Sequence, residues 1–261
     1  MARLASTLML FLVLMTGGSA CIYGTDVAVT LQVSLVNPGA PAPGLPVVTE
    51  GPLVNALEAS DGIVVRVPLS PGTVNGSVME ITVTSPGGAS TIVTQMIAGG
   101  DLVAGFVDVA VSASILGVPG TDDGAWQVSA TLIASGGLRS PTTVGAGFIL
   151  DRVLPGTPSS LIAGEGPILD ALAVADGTVI RAALTPPITA GDVITLTIIL
   201  PGGGTSQVNA TVSAADVSAG EVSVVIPPAL LVTDGVYSIT AVMSDVAGNV
   251  SVASPGVTFT V

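Results

Sequence analysis

EGPLVNALEASDGIVVR, residues 50–66, and EGPILDALAVADGTVIR, residues 165–181, are one segment written twice. Nine of the seventeen positions are identical at an offset of 115. The offset runs on without a gap through Leu69/Leu184, Pro71/Pro186, Gly76/Gly191, Thr82/Thr197, Pro86-Gly87-Gly88/Pro201-Gly202-Gly203, Asp101/Asp216 and Gly105/Gly220. Further on it falls to 111, pairing Asp123-Gly124 with Asp234-Gly235, Trp126 with Tyr237 and Phe148 with Phe259. The first copy therefore has four extra residues near 117–121, which implies a loop there. The 261 residues thus hold a duplicated domain, in keeping with the usual size of small domains.

Within the second copy, short runs of period-two character lie between turn signals: Ser159–Ala163, Gly177–Leu184, Asp192–Leu200, Thr205–Ser213, Glu221–Pro227, Gly235–Ser244 and Val250–Val261. Each reads as a strand. Seven strands at this spacing predict an all-β fold, two tandem immunoglobulin-like β-sandwiches of about seven antiparallel strands each. Helix is not indicated: Ala56–Ser60 and Ala171–Ala175 are too short for more than a turn. The expected organisation is a signal peptide over 1–20, an N-terminal strand and Pro/Gly linker over 21–44, domain 1 over 45–150 and domain 2 over 151–261.

The segment from Ala190 to Ser251 resembles the tandem bacterial immunoglobulin-like repeats of large secreted adhesins and biofilm proteins. Its most characteristic piece is the turn Asp245-x-Ala247-Gly248-Asn249; the first copy has Ala134-Ser135-Gly136-Gly137-Leu138 there, without the side-chain oxygens of Asp245 and Asn249. The resemblance covers about residues 38–261, more strongly in the second copy. It implies the sandwich fold and a stalk-like, structural or adhesive role at the cell surface, and names no ligand.

Composition narrows the chemistry. Eighteen acids stand against five basic residues, all arginine, for a net charge of −13. No clustered positive face is available for phosphate, so nucleic acid is excluded as a partner. Histidine and lysine are absent and Cys21 is the single cysteine. Ser-His-Asp, Cys-His and Ser-Lys nucleophilic sites and histidine-bound zinc are ruled out, and no enzyme is expected. Glycine-rich stretches such as Pro201-Gly202-Gly203-Gly204 join strands, so they read as turns and not phosphate loops. Trp126 and Tyr237 follow Asp-Gly turns at the start of the sixth strand, where this fold places its tyrosine corner. A tryptophan is expected to supply packing only.

Arg3, the apolar run Leu8–Met15 and the small residues Thr16–Ala20 have the form of an export signal, and the run is too short to span a bilayer. Gly18-Ser19-Ala20-Cys21 resembles a bacterial lipobox, although that family usually carries an aliphatic residue where Gly18 sits. The resemblance implies lipidation of Cys21 and, with Ile22 next, sorting to the outer membrane. The same residues also have the small-x-small form of a simple cleavage site, which would leave Cys21 a free N-terminal thiol. If Cys21 is lipidated, the membrane is reached through that anchor only; in either case the expected partner is an envelope or extracellular protein or a glycan.

Val27–Leu35 (VAVTLQVSL) alternates strictly, and Val36-Asn37-Pro38-Gly39-Ala40-Pro41 matches the inter-domain linker Val153-Leu154-Pro155-Gly156-Thr157-Pro158. Asp26–Leu35 reads as a last strand without the rest of its domain. It is either an edge strand or spacer, or a strand offered to the sheet edge of another molecule.

One cofactor is expected. Loops after odd-numbered strands share one end of a seven-stranded sandwich and those after even-numbered strands the other. The junction therefore gathers the 50–61 loop, Asp122-Asp123 and Asp151 from domain 1, and the Asp245–Asn249 turn and Asp192 from domain 2. Calcium takes six to eight hard oxygens, and Asp151, Asp245, Asn249, Asp61 and Asp123 are the candidate ligands of an inter-domain calcium ion. The competing reading is that these are solvated turn residues, placed there because Asp and Asn suit turn geometry.

Overall fold

The computed structural model describes residues 21–23, 28–30 and 39–261, which divide into two units, Met1–Pro38 and Gly39–Val261. In the first unit β1 (Cys21–Tyr23) pairs antiparallel with β2 (Ala28–Thr30). The rest of the expected strand Asp26–Leu35, and residues 1–20, lie outside the described residues.

The second unit holds two sandwiches. In domain 1, β3 (Val47–Val48), β5 (Ile63–Pro68) and β8 (Phe106–Val111) form one sheet. The facing sheet has the order β4 (Leu53–Val54), β11 (Phe148–Leu150), β9 (Gly124–Ile133), β6 (Val78–Thr84), β7 (Ser90–Met96), with β10 (Thr143–Val144) also on β9. Domain 2 repeats this arrangement. β12 (Ser160–Ala163), β13 (Thr178–Ala183) and β16 (Glu221–Ile226) form its first sheet. β15 (Thr205–Thr211), β14 (Val193–Ile199), β17 (Val236–Ser244) and β18 (Val257–Thr260) form its second. Even the one parallel contact recurs: β11 runs parallel to β4, and Ile168 bridges Thr260 in parallel.

The period-two pattern builds each core, because alternate side chains of a strand point to opposite faces. Ile63, Val65 and Val67 of β5 and Met79, Ile81 and Val83 of β6 turn inward in domain 1. Ile180 and Ala182 of β13 and Ile194, Leu196 and Ile198 of β14 do so in domain 2. Gly62 and Gly177 close the Asp-Gly turns ahead of β5 and β13 at φ of +106° and +92°. A Cβ there would lie 2.2 Å from Val111 O and 2.4 Å from Ile226 O, so both turns require glycine.

Three features depart from the sequence expectation. Two helical turns not foreseen, α1 (Gly99–Ala104) and α3 (Ala214–Ala219), carry the chain from one sheet to the other at the 115-residue offset. Asp101 and Asp216 accept the backbone N–H of Ala98 and Ser213, and Gly105 and Gly220 end the turns. α2 (Ala171–Ala175), capped by Asp170, and the 3₁₀ turn Glu58–Ser60 stand where short turns were anticipated. The expected strand Val250–Val261 is regular only over β18, because the Ser251 and Ser254 hydroxyls take the N–H groups of Met243 and Ala241 and carry the chain away from β17.

Candidate functional site at the domain junction

The Asp245–Asn249 turn of domain 2 meets the 50–61 loop of domain 1. Asp245 orients Asn249: its Oδ1 accepts the Asn249 N–H at 2.8 Å and its Oδ2 accepts from Asn249 Nδ2 at 2.9 Å. The Asn249 amide then reaches across. Its Oδ1 accepts the Ala56 N–H at 2.7 Å and its Nδ2 donates to Asp151 O at 2.9 Å. Asn55 Nδ2 donates to Ala247 O at 3.2 Å, and Asn55 is fixed by a reciprocal pair with Glu58: Glu58 N to Asn55 Oδ1 at 2.9 Å and Asn55 N to Glu58 Oε2 at 3.0 Å. Asn249 is 3% exposed, while its partners Ala56 and Asp151 are half-buried.

In domain 1 the Ala134–Leu138 turn keeps the same backbone bonds as Asp245–Asn249, Ala134 N to Leu138 O and Gly137 N to Ala134 O, and has no side-chain oxygen at the positions of Asp245 and Asn249.

A second tie comes from Arg152, which sequence reasoning missed. Its Nε and backbone N–H donate to Asp123 at 2.8 Å, and its Nη1 and Nη2 to Gly117 O and Leu116 O at 3.0 and 2.9 Å. Asp123 also accepts the Gly120 N–H, so Arg152 and Asp123 together fold the four-residue insertion against the start of the linker. Both side chains are about nine-tenths buried.

The five residues expected at a cation site are thus divided. Asp151, Asp245 and Asn249 come together. Asp123 is neutralised by Arg152, and Asp61 sits exposed after the 3₁₀ turn Glu58–Ser60. Asp151, Asp192 and Asp245 line a cavity of about 200 Å³ with Val153, Pro155, Pro187, Ile188 and Thr189. Burial holds the Asp151 carboxyl above the usual carboxylate range; the Val153 N–H opposes this, and the charges of Asp245, Asp123 and Asp192 add to it. Among the described residues no three His, Cys, Asp or Glu side chains form a closed metal-holding group. Asp192 is turned to Thr189, accepting its N–H at 2.7 Å and its hydroxyl at 2.9 Å.

Trp126 corrects the packing-only expectation. It is buried, stacked on Phe148 at 6.1 Å, and its Nε1–H donates to Asp122 O at 3.0 Å. Tyr237, stacked on Phe259 at 5.3 Å, donates from Oη to Thr233 O at 2.9 Å. Each acceptor lies four residues before its aromatic, so the indole N–H reproduces the corner bond.

Residues 183–261 match the family model described as a bacterial Ig-like domain. No curated protein matches the chain. Among solved structures, that of a 1.5-MDa bacterial ice-binding adhesin is 23% identical at a TM-score of 0.41, covering 84% of this chain and 63% of its own. A tetra-tandem repeat from the extending region of a large adhesion protein is 16% identical at 0.32, covering 84% and 48%. A two-domain fibronectin type III segment of chicken tenascin is 14% identical at 0.26, covering 84% and 98%. The chain thus spans less than two thirds of the adhesin structure. Among the described residues no helix is long and apolar enough to cross a membrane.

Proposed function

We propose that this chain is an exported, lipid-anchored cell-envelope protein whose two sandwiches act as a stiff structural and adhesive surface module, without catalytic activity. The observation that carries the reading is the Asn249 lock, which joins the sandwiches end to end through backbone groups of domain 1. A spacer needs this property. The bacterial Ig-like match over 183–261 and the lipobox-like Gly18–Cys21 support it. Its partner is an envelope or extracellular protein or glycan that the outer end of the module meets. A glycan-binding role finds no support at Trp126, whose ring lies in the core. Intact mass of the membrane-extracted protein beside a Cys21→Ser variant tests the anchor: a diacylglyceryl-sized excess is expected in the first only, and equal bare-chain masses would overturn it.

Asp151, Asp192 and Asp245 line one cavity and repel one another, a smaller influence on the Asp151 carboxyl than its burial, and we propose a second component there, a calcium ion drawn to Asp151 and Asp245 with Asp192 beside them. Such an ion would relieve that repulsion and stiffen the linker. A melting temperature raised by calcium over chelator, and not raised in Asp151→Asn, is expected; equal values in the parent chain would overturn this component.

A further inference from the structure

β7 is the outermost strand of its sheet, and its register with β6 decides which of its backbone groups are free. Ser85 N donates to Ala89 O at one end of the hairpin and Ile97 N to Ser77 O at the other, with Thr84 opposite Ser90 and Val78 opposite Met96 between them. Hydrogen-bonded and non-hydrogen-bonded pairs alternate along an antiparallel ladder. Thr91, Val93 and Gln95 therefore spend their N–H and C=O groups on β6, whereas Ser90, Ile92, Thr94 and Met96 direct theirs outward. Apart from a local bond from Gln95 Nε2 to Met96 O, no hydrogen bond reaches those groups among the described residues.

An edge of this kind is normally guarded by charge, proline or a bulge. Here no charged residue occurs from Ser85 to Gly100 and no proline from Gly87 to Gly100, in a chain of net charge −13. Side chains add to the exposure: Ile92 is 58% and Met96 64% exposed, and Val103 in the turn that follows is 91% exposed. The duplicate supplies an internal control. At the 115-residue offset the free edge of β15 presents Thr205, Gln207, Asn209 and Thr211, and Ser218 stands for Val103. Three positions that are polar in domain 2 are apolar in domain 1, on an edge of the same geometry.

We propose that β7 is a self-association edge, at which two copies of this chain pair β7 with β7 antiparallel about a twofold axis through Val93. In that register Ser90 opposes Met96 and Ile92 opposes Thr94 on both sides of the axis, so every outward N–H and C=O of the strand finds a counterpart. The contact is isologous and closes at two copies. A second copy is the occupant that the charge selects: acidic surfaces keep copies apart elsewhere, while this neutral edge meets its own image without repulsion. The pairing does not depend on the lipid anchor and would join modules side by side.

Sedimentation velocity on the full chain carrying Cys21→Ser, which removes thiol- and acyl-borne association, tests the proposal. A monomer–dimer equilibrium is expected over the micromolar range. Thr94→Pro removes one outward N–H and no bond to β6, and Ile92→Lys with Met96→Lys places like charges along the paired edge. Each is expected to weaken the dimer by at least about tenfold with an unchanged melting temperature, while Asn209→Pro on the domain 2 edge leaves the dimer intact. A parent chain that stays monomeric at the highest concentration would overturn the proposal, as would a folded double-lysine variant that dimerises like the parent. Should Thr94→Pro unfold, the exposed lysine pair alone decides.

Discussion

Asn249 donates from Nδ2 to the backbone oxygen of Asp151, 98 residues earlier, at 2.9 Å, while its Oδ1 takes the Ala56 N–H. Only an amide of this length supplies a donor and an acceptor to two backbone groups of the neighbouring domain at once. Asn249→Ala leaves Ala56 N–H and Asp151 C=O without these partners at a half-buried site. We predict a loss of about 2 to 4 kcal/mol, seen in calorimetry as a lower transition that separates into two domain transitions.

Arg152→Met should be at least as costly. It strands the Asp123 carboxylate, 11% exposed, with the Gly120 and Arg152 backbone N–H groups as its remaining partners. Breaking a buried pair from one side costs about 3 to 5 kcal/mol. Arg152→Met with Asp123→Leu should recover much of that loss in denaturant titrations; no recovery would mean that the bonds to Leu116 O and Gly117 O dominate.

The two corner aromatics predict a graded series. Tyr237→Phe removes the hydroxyl's bond to Thr233 O and the longer one it accepts from Thr233 N–H, and keeps the stack on Phe259, for about 1 kcal/mol. Trp126→Phe loses both the indole N–H bond and ring volume in a packed core, for about 2 to 4 kcal/mol. Urea unfolding of the two variants checks the order.

Glu165 gives the pH dependence. The Thr178 hydroxyl, and then the Glu165 and Val179 N–H groups, hold its carboxyl below the usual carboxylate range against a smaller desolvation. A depressed folded-state value stabilises the fold above the unfolded-state value, and that stability is lost as pH falls through the depressed one. Glu165→Gln should therefore destabilise domain 2 at neutral pH, by less than about 1 kcal/mol on so exposed a group. The difference from the parent should vanish in acid, as melting curves across pH would show.

Much of this was legible in the sequence because alternation and loop order are local rules. Ile180 and Ala182 face inward as their period requires, and the parity of strand connections was enough to bring Asp151 and Asp245 to one end. Helix α3 was not legible, since six residues leave no apolar period; its signal was Ser213-x-x-Asp216 followed by Gly220. Arg152 was hidden because its partner Asp123 and carbonyls Leu116 and Gly117 converge only once the insertion folds. Trp126 was misjudged by asking for a hydroxyl where any N–H donor suffices.

The central claim is that the two sandwiches form one stiff body. Pulsed electron paramagnetic resonance between spin labels at Ser135→Cys and Leu172→Cys, exposed positions in domains 1 and 2, measures this in the Cys21→Ser background. A single narrow distance distribution is predicted, broadening when Asn249→Ala is added. A broad distribution in the parent chain, unchanged by Asn249→Ala, would contradict it.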